Sequence, residues 1–192
     1  MKDFTYVPEN EGFLRPDALL AVVVVTDEDD CSAPSDTELF DPSQHMLESP
    51  LGPITSYRCF EFGVLCQGVG PGRVPGPRED CVPGSFDPDP RHQLVPIEDF
   101  VTAFSHFKAD PRRVFVGVFA GGPEPVEVYL DPTGNPLLKP YRSGTPGIRL
   151  FRFVSQFDAD RARFWLVTAG YEGPYHPMMA EFAAMLSESL WP

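Results

Sequence analysis

The run Ala-Leu-Leu-Ala-Val-Val-Val-Val at residues 18–25 limits what this chain can fold into more than any other stretch of it. It has no polar side to turn to water, it is too short to cross a membrane, and it ends in four β-branched residues. Those properties predict a strand buried on both faces, as in parallel sheets. The run stops abruptly at Thr26, Asp27, Glu28, Asp29 and Asp30. Carboxylates there sit at the carboxyl end of the strand, where open α/β sheets take their ligands.

Further along, the pattern alternates between helix and strand periods. Ile97, Phe100, Val101, Phe104 and Phe107 share one helical face after Pro96, and Asp110-Pro111 ends that helix. VFVGVFA at 114–120 is a second buried strand, closed by Gly121-Gly122-Pro123. Val126, Val128 and Leu130 alternate before the turn Asp131-Pro132-Thr133-Gly134-Asn135, predicting a small hairpin at the sheet edge. Thr145-Pro146 reads as an N-cap and first helical position for a helix carrying Leu150, Phe151, Val154 and Phe157. FWLVT at 164–168 is a third strand. His176-Pro177 starts a last helix, striped by Met179, Phe182, Leu186 and Leu190 and ending near Trp191. Strands alternating with amphipathic helices predict an α/β fold with a parallel sheet and helices on both faces. The helical Phe stripes are expected to be core.

Residues 31–95 break this rhythm. Pro, Gly, Asp and Ser punctuate them every few residues, and a short strand within 56–64 is the most regular structure expected. Much of the chain's 23 Pro and 16 Gly falls here. So do all four cysteines, Cys31, Cys59, Cys66 and Cys81, which lack the paired spacing of a zinc ribbon. They are read as two disulfides stapling an ordered loop, which implies an oxidising compartment. Of the three possible pairings, Cys31 with Cys59 and Cys66 with Cys81 is favoured; four reduced thiols in a cytosolic loop are the alternative. Phe60 and Phe62, beside these cysteines, either pack a private mini-core or form an exposed contact. Residues 1–16 read as an irregular segment without a signal sequence, and residues 17–192 as one domain.

The net charge of −13, with Arg112-Arg113 as the only basic cluster, argues against a nucleic-acid partner. An enzyme is not indicated. His45, His92, His106 and His176 are scattered, with no H-E-x-x-H or G-x-S-x-G motif, and His106 falls on the solvent side of its helix. Gly68, Gly70 and Gly72 alternate with Pro71 and precede no helix, so they make a turn rather than a phosphate loop. Asp36, Glu38 and Asp41 lack the Gly and terminal Glu of an EF-hand.

The strand LLAVVVV ending in Thr26-Asp27 resembles the fourth strand of von Willebrand factor A domains, and the elements after it follow that fold in order. GFLRPDALL, LGPITSYRCFEFGVLC and the helix leading into DPRRVFVG resemble a bacterial, cysteine-containing, exported branch of the family, over residue 12 to the C-terminus. The resemblance implies a three-layer αβα Rossmann-like domain whose N-terminal half is missing. It also implies a non-enzymatic protein-binding or adhesion module, extracytoplasmic in location, recognising a protein or surface ligand.

In that family Mg²⁺ or Ca²⁺ is held by a D-x-S-x-S loop, a Thr from a second loop and the Asp after the fourth strand. Only Asp27 carries over, with Asp29 and Asp30 as second choices. Glu28 stands where Gly usually follows, and the nearest string, Asp30-Cys31-Ser32-Ala33-Pro34-Ser35, has its second Ser one residue late. The ion site is therefore expected to be incomplete, since such ions take about six oxygens. For residues 27–30 a solvated turn or helix N-terminus is the competing reading. Two other readings stay open: a structural remnant without metal that depends on association with another chain, and a hydrolase using the acidic loop for metal-assisted chemistry. The family places its first strand beside the fourth, so residues 18–25 would have an open apolar edge prone to self-association.

Overall fold

The computed structural model describes residues 12–84, 92–141, 144–167 and 176–190, with the side chains of His176 and Leu190 outside the description. Residues 1–11 of the expected irregular segment, Thr168 and Trp191 lie outside it as well. In chain order the elements are β1 (Leu20–Val25), α1 (Ser56–Gly63), β2 (Val64–Cys66), β3 (Gly76–Arg78), β4 (Cys81–Pro83), α2 (Ile97–Ser105), β5 (Val114–Ala120), β6 (Val126–Leu130), β7 (Pro136–Leu138), α3 (Ile148–Val154), β8 (Ala162–Leu166) and α4 (His176–Leu190).

The three apolar runs form one parallel sheet in the order β1-β5-β8. Leu20 to Val25 lie beside Val114 to Phe119, and Val116 to Ala120 beside Ala162 to Leu166. Strand β5 is central and buried along its whole length, as its unbroken apolar sequence requires. One face, carrying Val114, Val116, Val118 and Ala120, packs on Ile97 of α2 and on Leu150, Phe153 and Val154 of α3. The other face, carrying Phe115 and Phe119, packs with Trp165 on Phe182 of α4. Phe119 stacks on Trp165 at 4.7 Å, and Phe182 meets that indole edge-on at 5.9 Å. Gly117 leaves room for this, since a Cβ there would stand 3.1 Å from the Phe182 ring.

Strand β1 departs from expectation. Among the described residues it is an edge strand whose burial alternates, with Val23 40% and Val25 61% exposed. Leu20 and Val24 join the core with α2 and α3, whereas Ala21, Val23 and Val25 belong to the opposite face and are open to solvent.

Residues 56–63 form a helix rather than the short strand expected. Tyr57 and Phe60 pack with Val64, Val126, Val128 and Leu138, while Phe62 packs with Leu39, Leu51 and Leu94. A helix buried on two sides has no polar stripe, so its period is invisible in the sequence. Phe62 thus packs in a mini-core private to the excursion, whereas Phe60 packs against residues outside it. The predicted hairpin forms as β6 and β7, and it recruits β3 from the excursion into a three-stranded antiparallel sheet.

Two helix boundaries differ from the sequence reading. Helix α2 stops at Ser105, and Asp110 instead accepts the Arg112 N–H at 3.0 Å to cap a single 3-10 turn at Pro111–Arg113. Helix α3 starts at Ile148, two residues after Pro146, with Gly147 rather than Thr145 at the N-cap position. In that helix Phe151 is 45% exposed, with an edge-to-face contact to Phe164 at 5.4 Å, so it is not core. On α4 the inward residues are Met178, Phe182, Met185 and Leu186, and Met179 faces outward.

Truncating Phe119 to Ala should cost about 3–5 kcal/mol of unfolding free energy, as for other buried aromatics. Phe151→Ala should cost about 1 kcal/mol or less. Urea unfolding of the two variants checks the assignment, and equal losses would contradict it.

Candidate functional site

The acidic loop leaves β1 in a compact turn. Thr26 N–H closes the ladder onto Phe119 O at 3.0 Å. The Thr26 hydroxyl accepts Glu28 N–H at 3.0 Å and donates to Glu28 O at 3.1 Å. Asp27 is then held by its backbone, its carbonyl accepting Thr145 N–H at 2.8 Å and the Thr145 hydroxyl at 3.3 Å. Its carboxylate is left in solvent. This approach requires glycine across the way, because a Cβ at Gly121 would stand 2.0 Å from Thr145 O.

Asp29 turns inward. Its Oδ1 accepts N–H bonds from Asp30 at 2.9 Å, Leu150 at 3.0 Å and Arg149 at 3.1 Å, and Oδ2 accepts Arg149 N–H at 2.9 Å. It is the N-terminal cap of α3, which Gly147 has no side chain to supply. Burial pushes the Asp29 carboxyl up to about 6, against the downward pull of these N–H donors. Asp30 turns inward too, with Oδ2 accepting Arg149 Nε at 3.0 Å and Nη2 at 2.9 Å, and Oδ1 accepting the Ser32 hydroxyl at 2.6 Å. Arg149 is 1% exposed, and it also donates to Val95 O at 2.6 Å and Gly63 O at 3.4 Å.

Beside this knot lies a small open cleft. Glu28, Ser56 and Thr145 form its polar side, and Phe60, Leu138 and the Cys31–Cys59 disulfide its apolar side. Burial and the neighbouring Asp27 charge raise the Glu28 carboxyl, while hydrogen bonds from Ser56 and Thr145 lower it. Both disulfides are closed, Cys31 with Cys59 and Cys66 with Cys81, the second clasping β2 to β4 where the two residues face each other in register. Two such bonds are the mark of an oxidising, extracytoplasmic environment. Among the described residues no helix is long and apolar enough to cross a membrane.

Of the three residues singled out as metal ligands, the structure leaves one pointing outward. Asp29 and Asp30 spend their oxygens on N–H donors and a guanidinium, so Asp27, Asp29 and Asp30 do not present a joint ligand set for Mg²⁺ or Ca²⁺. Among the described residues no group of three or more His, Cys, Asp or Glu could hold a metal ion. The histidines stay apart: the ring nitrogens of His45 and His106 pair with the carbonyls of Pro42 at 3.1 Å and Thr102 at 2.6 Å, and His92 is buried against Gly84.

Sequence reasoning missed the two buried arginines, Arg149 and Arg58. Arg58 is 2% exposed and donates to the carbonyls of Leu39 at 2.7 Å and Pro53 at 3.3 Å, and to those of Gln44 and Gly52. The available signal was an Arg placed among apolar residues, in IRLFRFV and SYRCFEFG. No protein-family model, curated protein or solved structure matches the chain.

Asp29→Ala should destabilise the fold by about 1–3 kcal/mol, the range for losing a cap and stranding buried N–H groups. Arg149→Met, which leaves Asp30 without its partner, should cost about 3–5 kcal/mol. The Asp29 carboxyl is held above its ordinary 3.8, so the folded state keeps this proton longer than the unfolded state. Its contribution to stability is full below about pH 4 and is lost as pH rises through about 6. Relative to Asp29→Asn, which does not titrate, the wild-type chain should lose stability across that window. A flat difference in urea unfolding across the same range would contradict the shift.

Proposed function

We propose that the chain is a non-enzymatic binding module of an exported or cell-surface protein. In this reading it corresponds to the part of a three-layer αβα, Rossmann-like domain of the von Willebrand factor A type that runs from the fourth strand onward. The placement of α2 and α3 on one sheet face and α4 on the other supports the fold. Support for the role comes from the acidic loop, which sits at the carboxyl end of a parallel strand, where such sheets recognise ligands.

One observation carries the reading of the site. The loop's four carboxylates divide into two that hold the fold together and two, Asp27 and Glu28, that stay exposed beside a largely apolar cleft bearing the hydroxyls of Ser56 and Thr145. Asp27 is the ligand-facing residue, and the group it suits is a cationic side chain of a protein partner. Mg²⁺ or Ca²⁺ binding at this rim is weak, with Asp29 and Asp30 serving by position rather than by coordination. The same division favours the second reading, a structural remnant that binds no metal and depends on another chain.

Two titrations of the disulfide-intact chain test this. Calorimetry with Mg²⁺, Ca²⁺ and Mn²⁺ should give millimolar binding or none, and micromolar binding abolished by Asp27→Ala would restore a metal-dependent adhesion site. NMR titration with short Lys- and Arg-containing peptides should shift the resonances of Asp27, Glu28, Ser56 and Thr145 without added metal. Silence there, with calorimetry equally silent, leaves the remnant reading. The export assignment is checked separately by alkylation and mass spectrometry of native material. Both disulfides should resist alkylation until reduced, and four freely alkylated thiols would sink it.

A further inference from the structure

Among the described residues strand β1 ends the parallel sheet, and its alternation shows which backbone groups are open. Thr26 N–H faces β5, where it meets Phe119 O. By the two-residue period of a strand, Val24, Val22 and Leu20 face β5 as well. The N–H and C=O groups of Ala21, Val23 and Val25 therefore point to the free edge, where no strand pairs with β1 among the described residues. The side chains of the same three residues are the exposed ones. Edge and uncovered face thus coincide in one apolar stripe, of the kind that natural sheets normally block with charge, proline or a covering element.

Charge distinguishes between ways of covering this stripe. The start of β1 is flanked by Arg15 and by Arg113, whose guanidinium donates to Asp17 O, two cations against the one exposed carboxylate of Asp17. The end of β1 carries the exposed carboxylates Asp27 and Glu28. Two copies of the strand laid antiparallel bring each basic start beside the other's acidic end, whereas a parallel arrangement brings like charges together.

We propose that this edge pairs with β1 of a second copy of the chain, antiparallel and about a two-fold axis at Val23. In that register Val23 faces Val23 of the second copy and Ala21 faces its Val25, so every open N–H and C=O of the three residues gains a partner. Opposed residues in an antiparallel pair share a sheet face, so the exposed side chains merge into one stripe across the axis. The contact is isologous and closes on itself, giving dimers rather than fibres. A single short strand buries too little for a permanent assembly, and the net charge of −13 opposes approach, so the dimer is weak and concentration-dependent.

Sedimentation velocity on the full oxidised chain, from about 1 μM to about 1 mM to bracket weak association, should show a monomer–dimer equilibrium. Val23→Lys, which sets two like charges across the axis, should weaken it at least about ten-fold. Val23→Thr, which keeps the β-branch, should retain it. Under mild oxidation Val23→Cys should form a disulfide-linked dimer much faster than Val74→Cys, a control at a valine 71% exposed elsewhere. Amide exchange at Ala21, Val23 and Val25 should slow as the protein is concentrated. A monomer throughout the range, a dimer indifferent to Val23→Lys, or equal cross-linking of the two cysteine variants would overturn the proposal. So would edge amides protected at every concentration, which would mean that another segment of the same chain covers the edge.

Discussion

The structure depends on the way α3 is started. A seven-residue helix with glycine at its N-cap has unsatisfied N–H groups and no side chain of its own to meet them. Asp29, from a loop 120 residues earlier in the chain, supplies the missing acceptor, and Asp30 takes the guanidinium of Arg149 on the same helical turn. Arg149 then reaches the carbonyls of Val95, before α2, and Gly63, at the end of α1. One residue therefore joins the acidic loop, α1, the entry to α2, and α3. Removing either charge would strand the other in a low-dielectric setting, so the four segments are held as a unit.

This knot explains why the long excursion is ordered despite its Pro and Gly content. Its backbone carbonyls have no long helix or sheet to satisfy them, so they turn inward onto arginines. Arg58 gathers four of them, and Arg73 gathers those of Leu47, Ser49 and Pro50 while pairing with Glu61 at 2.9 Å. The Cys31–Cys59 bond ties the acidic loop to α1, which carries Arg58, and Cys66–Cys81 holds the small β2–β4 pair. The arginines satisfy the polar backbone, and the disulfides reduce the entropy of the unfolded loop. Neither could order the segment alone, because burying carbonyls without donors and leaving a long loop unconstrained are separate costs.

What was legible in the sequence follows from this division. The strands at β1, β5 and β8, helices α2 and α4, the β6–β7 hairpin and the presence of two disulfides were readable, because each leaves a local period or a countable residue type, whereas the cysteine pairing was only favoured among three. Helix α1 was not, since Tyr57, Phe60 and Phe62 face two different mini-cores and Arg58 occupies a buried position. The start of α3 was misread because Thr145-Pro146 has the local form of a cap, while the true acceptor comes from far away in the chain. The acidic loop was recognised as important, but which carboxylates it gives away could not be read. Asp27, Glu28, Asp29 and Asp30 look alike as a string, and only the positions of Arg149 and α3 tell them apart.

The same geometry limits what the loop can do for a ligand. A carboxylate that already accepts several N–H bonds is an orienting group, and it cannot move toward a partner without exposing the end of α3. The exposed pair is free of that duty, and the backbone bond from Thr145 N–H to Asp27 O fixes its position against the rest of the rim. Recognition at Asp27 and Glu28 would therefore start from a preorganised surface, with little ordering entropy to recover on binding. The loop is rigid because two of its acids are committed to the fold, and those two are for that reason unavailable for coordination. Structural commitment of Asp29 and Asp30 and the exposure of Asp27 are thus consequences of one arrangement.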